Sequence, residues 1–144
     1  MASTQQTDRS TAFGKPTVLV VEDVVLVRML VADQLRQAGF EVIEAGTAEE
    51  AVRVLRAEFA INVVLSDIYM PGSSMDGVAL ARWVRTHRPA LKVILGSGVV
   101  STTDPADCAY FEAPIVQKPY KRDELEARLR AALGESTPPG GPQP

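Results

Sequence analysis

The 144-residue sequence is poor in several residue types, with one cysteine, one histidine and one tryptophan, and with aromatics at 6%. The lone Cys108 excludes an intrachain disulfide framework and fits a reducing compartment, where it reads as a small packing residue. His87, near the end of a helical stretch beside Arg88, reads as a surface residue rather than a catalytic one, and Trp83 as packing. A basic excess is also lacking. The formal net charge is -3, which gives no support to direct nucleic-acid binding. No apolar run approaches the roughly 20 residues needed to cross a bilayer, and residues 1–10 lack the apolar segment of a secretory signal. A cytoplasmic protein without membrane insertion is therefore expected. What remains is ordinary: 46% hydrophobic and 23% charged residues suit one soluble domain with a sizeable core.

The pattern along the chain is an alternation. Residues 1–15 are rich in Ser, Thr and Gln and are expected to form a disordered arm. Val18-Leu19-Val20-Val21 is a buried strand ending on Glu22-Asp23. Val27, Leu30, Val31, Leu35 and Ala38 then fall on one helical face, with Gly39 placed to cap it. Glu41–Ala45 is a short strand. Thr47 opens a capping box with Glu50, ahead of a helix with Ala48, Ala51, Val52, Leu55 and Phe59 on its face. Residues 62–66 are an apolar run without alternation, which suits a strand covered on both faces, and Asp67 stands at its carboxyl end. Asp76 caps a helix carrying Leu80, Ala81 and Val84, stopped by Arg88-Pro89. Leu91–Leu95 is the fourth strand. Asp104-Pro105 opens a short fourth helix, Ile115-Val116-Gln117 is the fifth strand, and Leu125, Leu129, Ala132 and Leu133 mark the last helix. Residues 135–144 are Pro/Gly-rich and are expected to be a disordered tail. The fold class is α/β: a doubly wound, five-stranded parallel sheet of order 2-1-3-4-5 over residues 16–134.

Polar groups gather at one edge of that sheet. Glu22 and Asp23 follow the first strand, Asp67 ends the third, Ser97 follows the fourth and Lys118 the fifth. In this strand order, strands 1 and 3 are neighbours at the topological switch point, so three carboxylates meet there. Like charges at close range raise one another's pKa. A hard divalent cation with oxygen ligands, Mg2+ above all, relieves that cost. A metal, a hydroxyl and an ammonium around one carboxylate make a site for a phosphoryl group on Asp67.

At these residues the sequence resembles the receiver domains of two-component response regulators. The matching segments are residues 18–23, residues 65–72 with Met75-Asp76-Gly77, Ser97-Gly98, and Lys118-Pro119-Tyr120. The resemblance implies that Asp67 is the phosphoacceptor, served by a histidine kinase or a histidine phosphotransfer protein. It implies direct Mg2+ ligation by Asp23, Asp67 and the Tyr69 backbone carbonyl, with Glu22 acting through metal-bound water. It further implies phosphoryl contacts from Ser97 and Lys118, an open approach at Gly98 and a cis Lys118–Pro119 peptide. Such a domain is a signalling module rather than a turnover enzyme. Three departures stand out: a loop after Asp67 lengthened by about two residues at Ser73-Ser74, Ile115 where relatives often carry a switching aromatic, and the short fourth helix.

Three other functions share parts of this pattern. A flavin or nucleotide module needs a Gly- or Ser/Thr-rich phosphate cradle after the first strand, where this chain has Glu-Asp-Val-Val. An aspartate-nucleophile phosphatase carries Asp-x-Asp there and a substrate cap. A degenerate receiver, acting as an unphosphorylated interaction module, would be expected to lose part of the acidic, hydroxyl and lysine set. No output domain is expected after Gly134, so the chain reads as a stand-alone regulator that signals by protein contacts or within a phosphorelay.

Overall fold

Strand β3 (Val63–Asp67) is buried at every position, as expected for a β-branched and aliphatic run enclosed between helical layers. The computed structural model describes residues 15–57, 60–97 and 115–134. In it β3 lies at the centre of a five-stranded sheet with β1 (Thr17–Val21), β2 (Glu41–Ala45), β4 (Lys92–Ser97) and β5 (Ile115–Gln117). The order is β2-β1-β3-β4-β5 and every pairing is parallel. The expected order is therefore the observed one. Strand ends differ from expectation by a residue or two: Asp67 belongs to β3 itself, and β4 runs on through Gly96 to Ser97.

Alternation along β1 sorts the core into two layers. Val18 and Val20 face a cluster with Val31, Leu35, Phe40, Leu125 and Leu129, formed by α1 (Val25–Gln37) and α4 (Arg122–Ala132). Leu19 and Val21 face Ala51, Leu55, Leu80 and Val84, from α2 (Ala48–Arg56) and α3 (Gly77–His87). Each fully buried Leu or Val contributes about 1.5–3 kcal/mol relative to exposure, so these layers hold the sheet edge rigid. Phe59, the short helix expected at Asp104-Pro105, Gly98 and Cys108 lie outside the described residues. So does the tail expected at 135–144 and, except for Lys15, the arm expected at 1–15.

Local signals operate as physical chemistry dictates, with adjustments. Thr47 Oγ1 accepts from the Glu50 N–H at 3.1 Å, but the Glu50 carboxylate returns to the Gly46 N–H (2.6 Å), one residue before the cap. Asp76 Oδ1 accepts from the Ala79 N–H at 2.9 Å. Gly39 and Gly134 adopt φ of +100° and +80° after α1 and α4, the left-handed region that glycine enters without penalty. Leu30 departs from the expected core face: it is 60% exposed.

The first residue of α3 sits directly on the acid-bearing strand. Gly77 N–H donates to the Ile68 carbonyl at 2.8 Å. A Cβ at Gly77 would overlap the Asp67 carbonyl oxygen and lie 2.8 Å from Ile68 Cα. Gly77→Ala is expected to destabilise the fold by about 1–3 kcal/mol, an overpacking cost against rigid backbone. At this first helical position alanine recovers less than the roughly 1 kcal/mol it brings to a helix interior. Urea unfolding of the variant checks this, and an unchanged or raised midpoint would contradict the contact.

Candidate functional site

The parallel register brings the expected residues to one edge. Asp67 is paired with Gly96, and Ser97 with Gln117, so Ser97 and Lys118 follow on the same side as Asp67. The Lys118 N–H donates to the Ser97 carbonyl at 2.8 Å, and the Lys118–Pro119 peptide is cis. Glu22 directly follows β1, with its N–H donating to Ala45 at 3.0 Å. Lys118 Nζ lies 2.6 Å from Glu22 Oε1 and 3.2 Å from Asp67 Oδ2. Glu22, Asp23 and Asp67 each offer a carboxylate oxygen, all within 4.8 Å of one another. Octahedral Mg2+ holds oxygens at about 2.0–2.1 Å, so its ligands span at most about 4.2 Å. The observed 4.8 Å limit lies close to that span. Glu22 has both oxygens engaged, Oε1 by Lys118 and Oε2 by the Val24 N–H at 3.2 Å, and Asp67 is likewise engaged by Lys118 and by the Tyr69 N–H.

Burial dominates the electrostatics. It pushes the Asp67 carboxyl above its ordinary range, against the opposing pull of the Lys118 ammonium, while the Asp23 charge adds to the rise. The Tyr69 N–H, bonded to Asp67, counters weakly. Burial likewise raises Glu22 despite its hydrogen bonds from Lys118 and Val24. For Lys118, burial acts downward, but the Glu22 hydrogen bond and the Asp67 charge outweigh it and hold the ammonium above its usual value. One ammonium therefore does not repay the desolvation of the carboxylates around it.

Several contributors were not legible as site residues. Arg28 Nη1 donates to the Glu22 carbonyl at 2.9 Å and its Nε to Glu44 at 3.3 Å, tying the acidic turn to β2. Glu49 binds the loop after Asp67, accepting from Ser73 Oγ at 3.0 Å and the Ser74 N–H at 2.8 Å. Ser73 Oγ in turn accepts from the Ala48 N–H at 2.8 Å, inside the first turn of α2. Ser73 and Ser74 are thus bonded to a neighbouring helix start. Tyr69 is 67% exposed beside the site, and Val25, Leu26, Met29 and Leu30 form an exposed apolar strip on α1. Periodicity finds a helix's core face, and this helix is apolar on more than that face. Ile115 packs against the Ile68 and Leu95 cluster.

The raised carboxyls fix a sign. The folded state binds protons more tightly than the unfolded chain, so stability falls as pH rises from the ordinary carboxylate range through the raised values. Asp67→Asn, which removes the charge and keeps the shape, is expected to raise the thermal midpoint at pH 7 without divalent cations by a few degrees, about 1 kcal/mol. The gain should shrink as the pH falls and Asp67 protonates. Calorimetry across pH 4–8 checks it; a variant less stable than wild type at pH 7 would refute this balance of charges.

Comparison with known proteins gives the same picture from outside. The family model described as the response regulator receiver domain matches residues 18–130. The chain is 37% identical over 121 residues to the C4-dicarboxylate transport transcriptional regulatory protein DctD of Rhizobium meliloti, covering 81% of this chain and 25% of that protein. It is 33% identical over 125 residues to the sensor kinase CckA of Brucella abortus, covering 83% of this chain and 13% of that protein. It spans 24% of the NtrX-like putative response regulator of Rickettsia felis, so it matches a minor part of such relatives. The receiver domain of NtrX from Brucella abortus superposes with a TM-score of 0.75 at 32% identity, covering 83% of this chain and 99% of that one. The response regulator TrrA from Thermotoga maritima, in complex with Mg2+-BeF, superposes at 0.74 and 25% identity, covering 82% of this chain and 99% of that one. With residues 18–130 of its 144 matched by that family model, the chain belongs to the response regulator receiver domain family.

Proposed function

We propose that this chain accepts a phosphoryl group on Asp67 from a phosphohistidine donor, a histidine kinase or a histidine phosphotransfer protein, and signals through protein contacts or a phosphorelay. The observation that carries this reading is the placement of Lys118 Nζ within 3.2 Å of Asp67 and 2.6 Å of Glu22, inside a cluster of three carboxylates. In the transfer, an Asp67 carboxylate oxygen forms the O–P bond as the P–N bond breaks. The electron pair returns to the imidazole nitrogen, which takes up a proton. Asp23, Asp67 and the Tyr69 carbonyl would hold Mg2+ directly and Glu22 through water; the bound ion would neutralise oxygen charge. The Ser97 hydroxyl would donate to a phosphoryl oxygen, and Lys118 would move its ammonium from the carboxylates toward the new dianion. The receiver unit on this reading is residues 16–134, a cytoplasmic signalling module. Among the described residues no helix is long and apolar enough to cross a membrane.

The donor is read as a helical protein. Leu26 and Met29, 65% and 54% exposed on α1, lie on the helix that begins beside the Glu22-Asp23 turn. An apolar strip next to a polar reaction centre suits the apolar face of a partner helix that carries the histidine.

Two experiments test the proposal. Mg2+ with acetyl phosphate is expected to add one phosphoryl mass to the wild type and none to Asp67→Asn. No modification of folded wild type would make the chain a receiver that acts unphosphorylated. For the donor face, Leu26→Asp with Met29→Asp should slow transfer from a phosphohistidine protein about tenfold or more, the loss of one interface anchor. The same pair should leave acetyl phosphate labelling within twofold. Equal slowing with both donors would place the fault in the site rather than in docking.

A further inference from the structure

Gly96 and Tyr120 are outside every role assigned above, yet they touch at the centre of the site. Gly96 is the register partner of Asp67, and its carbonyl accepts from the Ile68 N–H at 3.0 Å. It is buried. A Cβ built there would overlap the Tyr120 hydroxyl and approach Tyr120 Cζ to 2.8 Å and Cε1 to 3.1 Å. The phenol therefore occupies the volume that any other residue would fill at position 96. Tyr120 lies two residues after Lys118, and Lys118 is bonded through its N–H to Ser97, the residue after Gly96. The short segment from Lys118 to Tyr120 is thus fastened to β4 at two adjacent points. One is a backbone hydrogen bond and the other is a ring in a slot. Between them projects the side chain that reaches Glu22 and Asp67.

The other side of the ring is open. Val27, Leu30, Val31, Gln34, Lys118 and Tyr120 itself line a largely apolar groove of about 450 Å³ beside α1. The inner side of Tyr120 packs with the α1–α4 core layer. Among the described residues a groove lies on one side of the ring, while core packing and the slot over Gly96 hold it on the other. We infer that Gly96 and Tyr120 form a steric lock that sets where Lys118 presents its ammonium, which makes Tyr120 a positioning residue for phosphoryl recognition. The inference rests on the proposed reading of Lys118 as the counter-ion of the phosphoryl group. It also supplies an aromatic element close to Asp67 in a chain whose position 115 carries isoleucine.

The test is a pair of substitutions read by two independent measurements. Gly96→Ala should lower beryllofluoride affinity about tenfold, as expected when a hydrogen bond to a charged group is lost, with Mg2+ affinity within twofold because the carboxylates stay in place. Adding Tyr120→Phe should restore part of the loss by removing the overlapping hydroxyl. Urea unfolding supplies a readout free of phosphoryl chemistry: Gly96→Ala should lower the midpoint clearly with Tyr120 present and little in a Tyr120→Leu background. A Gly96→Ala protein that matches wild type in both measurements overturns the lock. So does one whose losses are the same whether residue 120 is Tyr, Phe or Leu. If Gly96→Ala alone does not fold, folding of Gly96→Ala with Tyr120→Leu supports the lock and its failure overturns it. If wild type binds no beryllofluoride, the phosphoacceptor reading fails, and the unfolding comparison still decides the lock.

Discussion

Three converging carboxylates, two of them paired with one ammonium, are the constraint around which the rest of this structure is arranged. Glu22, Asp23 and Asp67 converge because β1 and β3 are hydrogen-bonded neighbours that end level with each other. Left in water these groups would separate, and in a flexible loop they would turn apart. Two apolar layers prevent both, since the residues that precede them in β1 and β3 are almost wholly buried. Stability from the core is thus spent on holding like charges together. The raised carboxyls of Glu22 and Asp67 are the sign of that opposition. Strain of this kind at a functional edge is what a protein over-determined elsewhere can sustain.

The same constraint explains why the surroundings are so heavily bonded. The Glu22 carbonyl is held by Arg28, and the Arg28 side chain is held by Glu44 on β2. The loop that leaves Asp67 is held by Glu49 through Ser73 and Ser74. The start of α3 rests on the Asp67–Ile68 backbone, with no space for a side chain at Gly77. Each contact restrains the backbone that carries a charged group. None supplies charge to the reaction, so a search for reactive residue types passes over all of them.

That division marks what the sequence discloses. Strand order and the meeting of Glu22, Asp23, Asp67 and Lys118 were legible because each rests on a one-dimensional pattern: an apolar run, its polar terminus and the switch-point rule. Leu30 was misplaced because its spacing fits the core face, whereas the helix turns it toward an open groove. The Glu50 carboxylate bonds one residue earlier than a capping box prescribes, since spacing alone does not distinguish two adjacent N–H groups. Arg28 and Glu49 were invisible for a different reason. Their partners lie on other strands and loops, and charged residues on amphipathic helices read simply as solvated.

Gly96 is the sharpest instance, because its meaning is another residue's position. Read along the chain, a glycine before Ser97 marks a turn. In the fold it is an internal strand position, where glycine weakens a strand unless something approaches closely. What approaches is the Tyr120 phenol, with burial and the nearby Asp67 and Glu22 charges holding that hydroxyl in its neutral form. The glycine is therefore a vacancy shaped for a ring, and the ring is anchored two residues from the site's lysine. Lys118 Nζ already leans toward Glu22 rather than Asp67, by 2.6 Å against 3.2 Å, so small movements of its backbone change which carboxylate it serves. A fixed ring limits those movements. Tyr120 packs against the α1–α4 layer and fills the space at Gly96, the register partner of Asp67, so it links the strand beside the acid to the packing around α1.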